Sequence, residues 1–341
     1  MALKLGFVGV GGIAQRHLNG AKARDDVEIV GHCDVNEARV REVAQQFGGR
    51  PYTSATDLYD SEKPDAIVIA TPPFAHGDIE EEACRRGIHF FVEKPVAVNM
   101  ELAERVWQAV EESGVFTQVG YMYRKSEALQ QVKALLAGRA LAMVQAHFYM
   151  PGLPPAPWYQ EMALGGGQLV EQATHMLDLG RFLAGDVAMV IGRTSRVRDW
   201  TPPPGAEPQT GMRTYAEGFD IPDTTALILA YESGALGTLS CSLVPQGEWN
   251  VGFRVVADGL LVTIDGANAK WTGDQSGEAK ASDNWALNVL YEFIDCVAAG
   301  QPPSIPYVEG VKSLAVSVAG YESVNRDGPV SVRDLLPPGV G

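Results

Sequence analysis

Leu3-Lys4-Leu5-Gly6-Phe7-Val8-Gly9-Val10-Gly11-Gly12-Ile13-Ala14 runs from an apolar segment straight into a glycine-rich loop. Leu3–Val10 is nearly continuous in apolar character, as expected of a strand buried on both faces. Ile13–Arg24 then carries apolar residues at helical spacing. A Gly-x-Gly-x-x-Ala string in that context has a mechanical meaning. Gly9 permits a tight turn, Gly11 lets backbone approach a diphosphate, and Ala14 lets the helix pack closely on the strand. Gly12 and Ile13 open the helix, whose N-terminus offers N–H groups and a positive dipole end to phosphate. The alternative is a structural turn without a ligand.

Outward from this loop the pattern repeats. Val27–Val35, Ala66–Thr71, His89–Val92 and Val115–Tyr121 read as strands. Asn36–Phe47, Gly77–Arg86 and Met100–Glu112 read as helices between them. Strict alternation predicts a parallel, doubly wound α/β sheet in a domain spanning 1–122. Beyond it, in 123–341, the texture changes. Ser126–Ala137 reads as a helix, Leu141–Tyr149 as a strand and Pro151–Trp158 as a proline-rich loop. Gly165-Gly166-Gly167 opens a helical pattern to about Leu183, and Thr201–Pro208 is an exposed loop. Thr225–Glu232 and Ala235–Val244 are joined by Ser233-Gly234, and Gly252–Ala257 and Leu260–Asp265 by Asp258-Gly259. Both joints are hairpin signals. With helices near Asn284–Ala299 and Val308–Arg326, this half reads as an α+β domain whose antiparallel sheet is backed by helices.

Composition narrows the function. The 341 residues hold 27 Lys+Arg against 42 Asp+Glu, a net charge of −15, with no basic patch. Such a chain repels a phosphate backbone or anionic membrane, so neither nucleic acid nor membrane is an expected partner. Cys33, Cys84, Cys241 and Cys296 form no CxxC pair or Cys/His cluster, so no metal site and no disulfide framework are expected. The N-terminal stretch lacks a basic n-region and a small-residue cleavage site, and a cytoplasmic location with reduced thiols is expected.

Asp34 ends the second strand. A carboxylate there accepts hydrogen bonds from ribose hydroxyls and repels a 2′-phosphate, which favours NAD over NADP. It also suits the turn before a helix capped at Asn36. Arg39 and Arg41 follow closely and leave room for NADP. Thr71-Pro72-Pro73 lies at a strand's C-terminal edge, where Thr71 and Pro72 would pass beneath the nicotinamide ribose. His76 either reaches the cofactor or is a surface or helix-entry histidine.

Glu93-Lys94-Pro95 closes His89–Val92, placing Lys94 at the ligand-binding edge. A lysine there can hydrogen-bond a substrate hydroxyl and discharge a developing alkoxide, with Glu93 holding or tuning it. The alternative is a solvated pair at a strand end. Glu171 and His175, four apart, share a helix face, and Asp178 lies on the same side. A carboxylate one turn from a histidine fixes its tautomer for general acid/base work. As a metal site the pair lacks a third ligand; otherwise it is a surface ion pair.

Gly9–Ala14, Asp34, Glu93-Lys94-Pro95 and Gly165–His175, in this order, resemble the Gfo/Idh/MocA family of glucose–fructose oxidoreductase, inositol dehydrogenase and rhizopine-catabolism relatives. The resemblance extends to Tyr321-Glu322-Ser323. It implies a Rossmann domain followed by a domain with a large, mainly antiparallel open sheet that forms a homodimer or homotetramer. It also implies oxidation or reduction of a carbinol or carbonyl carbon of a sugar or cyclitol with NAD(P). By resemblance Lys94 takes the catalytic lysine role and His175 the proton-transfer role. Glu171 stands where the family usually has Asp, and Gln172-Ala173 departs from its usual small residues. Tyr123 and Arg124 fall at the strand exit near the nicotinamide, and Trp158 either stacks on a sugar ring or plugs the domain interface. Two other functions remain: a hydrolase or lyase that recycles tightly bound NAD, and a non-catalytic NAD-sensing protein.

Overall fold

The glycine-rich loop leaves the central strand of a six-stranded sheet in the computed structural model, which describes residues 2–154, 156–207 and 211–340. Pro155 and Pro208, within two loops expected from sequence, lie outside the described residues. The chain forms two units. In the first, strands β1 (Leu3–Val8), β2 (Val27–Cys33), β3 (Arg50–Tyr52), β4 (Ala66–Ile69), β5 (His89–Val92) and β6 (Thr117–Val119) alternate with helices. These are α1 (Gly12–Lys22), α2 (Glu37–Phe47), α3 (Ala55–Glu62), α4 (Asp78–Arg85) and α5 (Met100–Ser113). All pairings are parallel and the order is β3-β2-β1-β4-β5-β6. The order reverses beside β1, so the loop after β1 sits at the switch point where such sheets bind ligands.

Every residue of β4 is buried, as are Phe90, Phe91 and Val92 of β5, which explains their unbroken apolar runs. Each fully buried Leu, Ile or Phe contributes about 1.5–3 kcal/mol. Asn36 starts α2 by accepting from Arg39 N (3.1 Å), and Ser54 starts α3 by accepting from Asp57 N (3.3 Å). Neither β3 nor α3 was expected from sequence. β3 is a three-residue edge strand with Arg50, Pro51 and no buried residue, so it carries no apolar run.

The second unit contains α6 (Glu127–Leu136), β7 (Leu141–Tyr149), α7 (Met162–Gly165), α8 (Gly167–Glu171) and α9 (Thr174–Ala184). Strands β8 (Val187–Ser195), β9 (Thr224–Tyr231), β10 (Leu236–Ser242), β11 (Asn250–Ala257), β12 (Leu260–Asp265), β13 (Asn268–Gly273) and β14 (Gly277–Ala279) follow. The helix expected from Gly165 to Leu183 is two helices, α8 and α9, entered from the last residue of α7. Gly166 and Gly167 have φ of +73° and +71°, and the chain breaks again at Gln172-Ala173, where Ala173 N donates to Gln168 O at 2.9 Å.

After β14 the chain enters α10 (Asn288–Ala299), then α11 (Tyr307–Asn325) and β15 (Val330–Ser331). Ala286–Val311 belongs to the first unit, so a division at 122/123 does not describe this segment. Gln118 of β6 donates to Val289 O (3.2 Å) and Glu292 (2.7 Å) and accepts from Ile305 N (3.0 Å), while Phe293 meets Phe91 at 6.1 Å. An apolar helix face announces burial but not which sheet will bury it.

The second sheet has nine strands in the order β14-β13-β12-β11-β7-β10-β9-β8-β15, antiparallel throughout except where β10 runs parallel to β7. Both expected hairpins are present, with Gly234 and Gly259 at φ of +86° and +69°. β8, β13, β14 and β15 were not read from sequence. In β12, Leu260, Val262 and Ile264 are buried while Leu261, Thr263 and Asp265 are exposed. Among the described residues no helix is long and apolar enough to cross a membrane.

Candidate active site

The phosphate loop is shaped by backbone. Gly9 adopts φ +82°, and a Cβ there would lie 2.6 Å from Ala70 O on the neighbouring strand end, so only glycine fits. Gly11 and Gly12 are exposed, and a Cβ at either would meet nothing within 4 Å. Internal packing does not require glycine at these two positions; what glycine keeps clear there is the space before the α1 N-terminus. Gly11 caps that helix with no side chain, leaving first-turn N–H groups for an anion. Ile13 adds an exposed apolar surface beside the loop.

Asp34 fastens the loop to β2. Its Oδ2 accepts from Val10 N at 3.0 Å and its Oδ1 from Asn36 N at 2.9 Å. Each oxygen retains a lone pair for a ribose hydroxyl. Arg39 and Arg41 pair instead with Glu42 (2.9 Å) and Glu37 (2.5 Å). Thr71 and Pro72 are half-buried, and the buried Thr71 Oγ1 has no hydrogen-bond partner among the described residues, as suits a residue awaiting a ligand. His76 is buried, its Nδ1 2.5 Å from Glu80, whose other oxygen accepts from Gly77 N at 2.7 Å. The Nδ1 contact ties His76 to the entry of α4, while its buried Nε2 has no hydrogen-bond partner among the described residues. These residues fit an NAD molecule at its diphosphate and ribose.

Glu93 is buried at the end of β5, and half-buried Lys94 follows, with a cis bond to Pro95. The Glu93 carboxylate accepts from His17 Nε2 at 2.6 Å and from Lys94 N at 3.2 Å. Burial pushes the carboxyl up. The His17 bond, with the charge and N–H of Lys94, outweighs this and holds it below the ordinary carboxylate value.

In the second unit, the Tyr123 ring stands edge-on to His175 with centroids 5.7 Å apart, and Trp285 lies 5.2 Å from Tyr123 on another side. Burial raises the Tyr123 hydroxyl. Glu171, at the end of α8, is hydrogen-bonded by the Tyr159 hydroxyl, whose pKa is raised far by burial, by the Glu171 charge and by that bond. Trp158 stacks on Tyr159 at 3.7 Å, and its carbonyl lies where a Cβ on Gly165 would sit. A Cβ on Gly167 would strike the Tyr321 hydroxyl, which accepts from Leu169 N at 3.2 Å. The glycine run is therefore a packing requirement that delivers Glu171 and His175.

Two expectations change here. Glu171 and His175 lie on separate helices, α8 and α9, rather than on one face of one helix. Asp178 turns to Arg124 instead of supporting His175. Arg124 Nε and Nη2 grip the Asp178 carboxylate at 2.7–3.1 Å, and Ser313 Oγ adds a bond at 2.9 Å. Both charged partners are buried, so Arg124, expected at the cofactor, is tied to a structural pair. Sequence reasoning missed His17, Tyr159 and Trp285. Only His17 left a signal, as a polar residue on the otherwise apolar α1 face of Ala14, Leu18 and Ala21.

An α/β chain with this strand order, glycine loop and strand-end lysine is a nucleotide-dependent oxidoreductase by fold and site, and comparison with known proteins agrees. Residues 3–121 match the oxidoreductase family with an NAD-binding Rossmann fold, and residues 129–262 match the GFO/IDH/MocA C-terminal domain. The chain belongs to the Gfo/Idh/MocA family, whose Rossmann domain binds NAD. It is 26% identical to D-apiose dehydrogenase of Paraburkholderia graminis, over 96% of this chain and 89% of that one. It is 21% identical to myo-inositol 2-dehydrogenase of Thermotoga maritima, over 98% and 100%. The structure of a levoglucosan dehydrogenase in complex with NADH superposes with a TM-score of 0.83, at 19% identity, covering 97% of this chain and 99% of that one.

Proposed function

We propose that this protein is an NAD-dependent dehydrogenase acting on a carbinol carbon of a sugar, sugar derivative or cyclitol. The observation that carries the reading is the first unit's combination of an open diphosphate cradle with Lys94 at the same sheet edge, its backbone N–H held by a buried carboxylate. NAD, when bound, supplies the hydride acceptor. Gly9, Gly11, Gly12 and Ile13 hold its diphosphate, Asp34 its adenosine ribose, and Thr71 and Pro72 the nicotinamide end. Asp34, and the pairing of Arg39 and Arg41 with glutamates, disfavour a 2′-phosphate. Lys94 hydrogen-bonds the substrate oxygen and stabilises the charge that develops there. His175 takes the hydroxyl proton, or returns it in the reductive direction. Tyr123, Trp158 and Glu171 contact the ring and hydroxyls of the substrate; the polyol class is supported by the chain's similarity to proteins named as apiose, inositol and levoglucosan dehydrogenases.

The protein works in the cytoplasm as a homodimer or homotetramer through its nine-stranded sheet. Support for the assembly comes from Met189, Ile228, Leu236 and Leu261, apolar residues exposed on that sheet's strands.

The test is NADH formation with D-apiose, myo-inositol, scyllo-inositol and levoglucosan, alongside calorimetric titration with NAD and NADP. The reading expects NADH from at least one polyol, and NAD binding weakened about tenfold by Asp34→Ala. Product without net NADH would show redox recycling, and failure to bind either nucleotide would overturn the proposal.

A further inference from the structure

Helix α1, which begins at the phosphate loop, also carries a buried histidine. We propose that His17 is a positioning residue of this active site, which holds the Glu93 carboxylate against the backbone of Lys94 and so ties the lysine to the helix that cradles the diphosphate. The inference rests on the reading that Lys94 works on the substrate oxygen.

His17 is 2% exposed and lies three residues beyond Ala14, on the α1 face that packs into the unit. A carboxylate only accepts, so the 2.6 Å contact makes His17 Nε2 the donor to Glu93 Oε1. The ring also packs on Phe91, with centroids 4.9 Å apart. Phe91 and Glu93 are two apart on an extended segment and so share a side, which lets one histidine engage both. The other Glu93 oxygen accepts from Lys94 N. Gly120 closes the remaining side, since a Cβ there would lie 2.9 Å from the carboxyl carbon. The carboxylate therefore has little room for another rotamer, and the ionisable groups acting on it are His17 and Lys94.

Removing His17 takes away the hydrogen bond that offsets burial. A buried carboxylate so deprived and unable to turn away takes up a proton, which removes a fixed negative charge beside Lys94. Glutamine carries an amide donor able to approach the position of the imidazole Nε2, so His17→Gln should restore what His17→Leu loses.

The experiment compares wild type, His17→Leu, His17→Gln and Lys94→Ala by three readouts. These are NAD affinity by calorimetry, kcat and KM on the polyols named above, and the infrared carbonyl band of a protonated carboxyl at neutral pH. For His17→Leu we expect NAD affinity and KM within about threefold, kcat lowered at least about tenfold, and a new carboxyl band. That band should vanish when Glu93→Gln is added, and His17→Gln should return kcat to within about threefold of wild type. A His17→Leu protein with kcat within about twofold of wild type and no new band overturns the inference. So does an equal loss in His17→Leu and His17→Gln, which marks a merely structural role. Should His17→Leu fail to fold, His17→Asn, whose shorter amide falls short of Glu93, carries the same expectations. Retained activity in Lys94→Ala would instead overturn the functional reading, and if no polyol is turned over, the infrared band still decides the role of His17.

Discussion

The phosphate loop and the surroundings of His175 solve the problem of presenting hydrogen-bonding groups in opposite ways. Around Gly9–Ala14 the groups left open are backbone N–H groups at the start of α1, and the side chains contribute mostly by being absent. In the second unit the groups are side chains: Tyr123 stands against His175 and Trp285 against Tyr123, Tyr159 engages Glu171, and glycine serves packing. Backbone recognition is a local property, because the helix start, the turn and the missing Cβ lie within a dozen residues. Side-chain recognition depends on which distant segments the fold brings together.

That contrast can be broken or sharpened by substitution. The largest effect is expected at Lys94, which belongs to the side-chain mode although it sits in the loop's own unit. Lys94→Ala should lower kcat about a thousandfold, with NAD affinity by calorimetry changed no more than a few-fold. Next comes Arg124→Ala, which removes the bidentate partner of the buried Asp178 carboxylate and leaves it Ser313 and, at 3.9 Å, Arg181. It should cost about 1.5–3 kcal/mol in urea unfolding while NAD affinity holds. Weaker NAD binding without lost stability would return Arg124 to the cofactor.

Within the loop, two glycines should separate. Gly9→Ala drives a Cβ into Ala70 O and should cost about 1–3 kcal/mol of stability by thermal unfolding. Gly11→Ala meets no protein atom, so stability should stay within about 0.5 kcal/mol. Yet NAD affinity should fall about tenfold. Equal behaviour of the two would erase the distinction between packing and ligand glycines.

The smallest effect concerns acid. The Glu93 carboxyl is depressed in the folded protein, so it contributes stability above its unfolded value, about 4.3. That contribution is lost as pH falls through the folded value. Glu93→Gln should therefore flatten the fall in stability below about pH 4.3, as read by urea unfolding across pH.

Much of the first unit was legible because its strands are buried on both faces and its helices start at Asn and Gly. What escaped was β3, an exposed edge strand without an apolar run, and the destination of Ala286–Val311. In the second unit the hairpins announced themselves through Ser233-Gly234 and Asp258-Gly259. The breaks in the expected helix did not, because Gln172-Ala173 carries no helix-stopping chemistry and the break arises from packing. Asp178 shows the same limit. Spacing placed it beside His175, but a bidentate arginine offered a better partner.

By itself the sequence determined the α/β alternation, the glycine loop with Asp34, and the placement of Lys94 at the end of a buried strand. Each follows from periodicity or from conformational rules that act over a few residues. Only the tertiary structure decided that His17 serves Glu93, that Arg124 belongs to Asp178, that Tyr159 engages Glu171, and that α10 returns to the first unit. Those choices turn on contacts between segments from a dozen to well over a hundred residues apart, where burial makes an unpaired charge costly and the fold alone determines which partner is within reach.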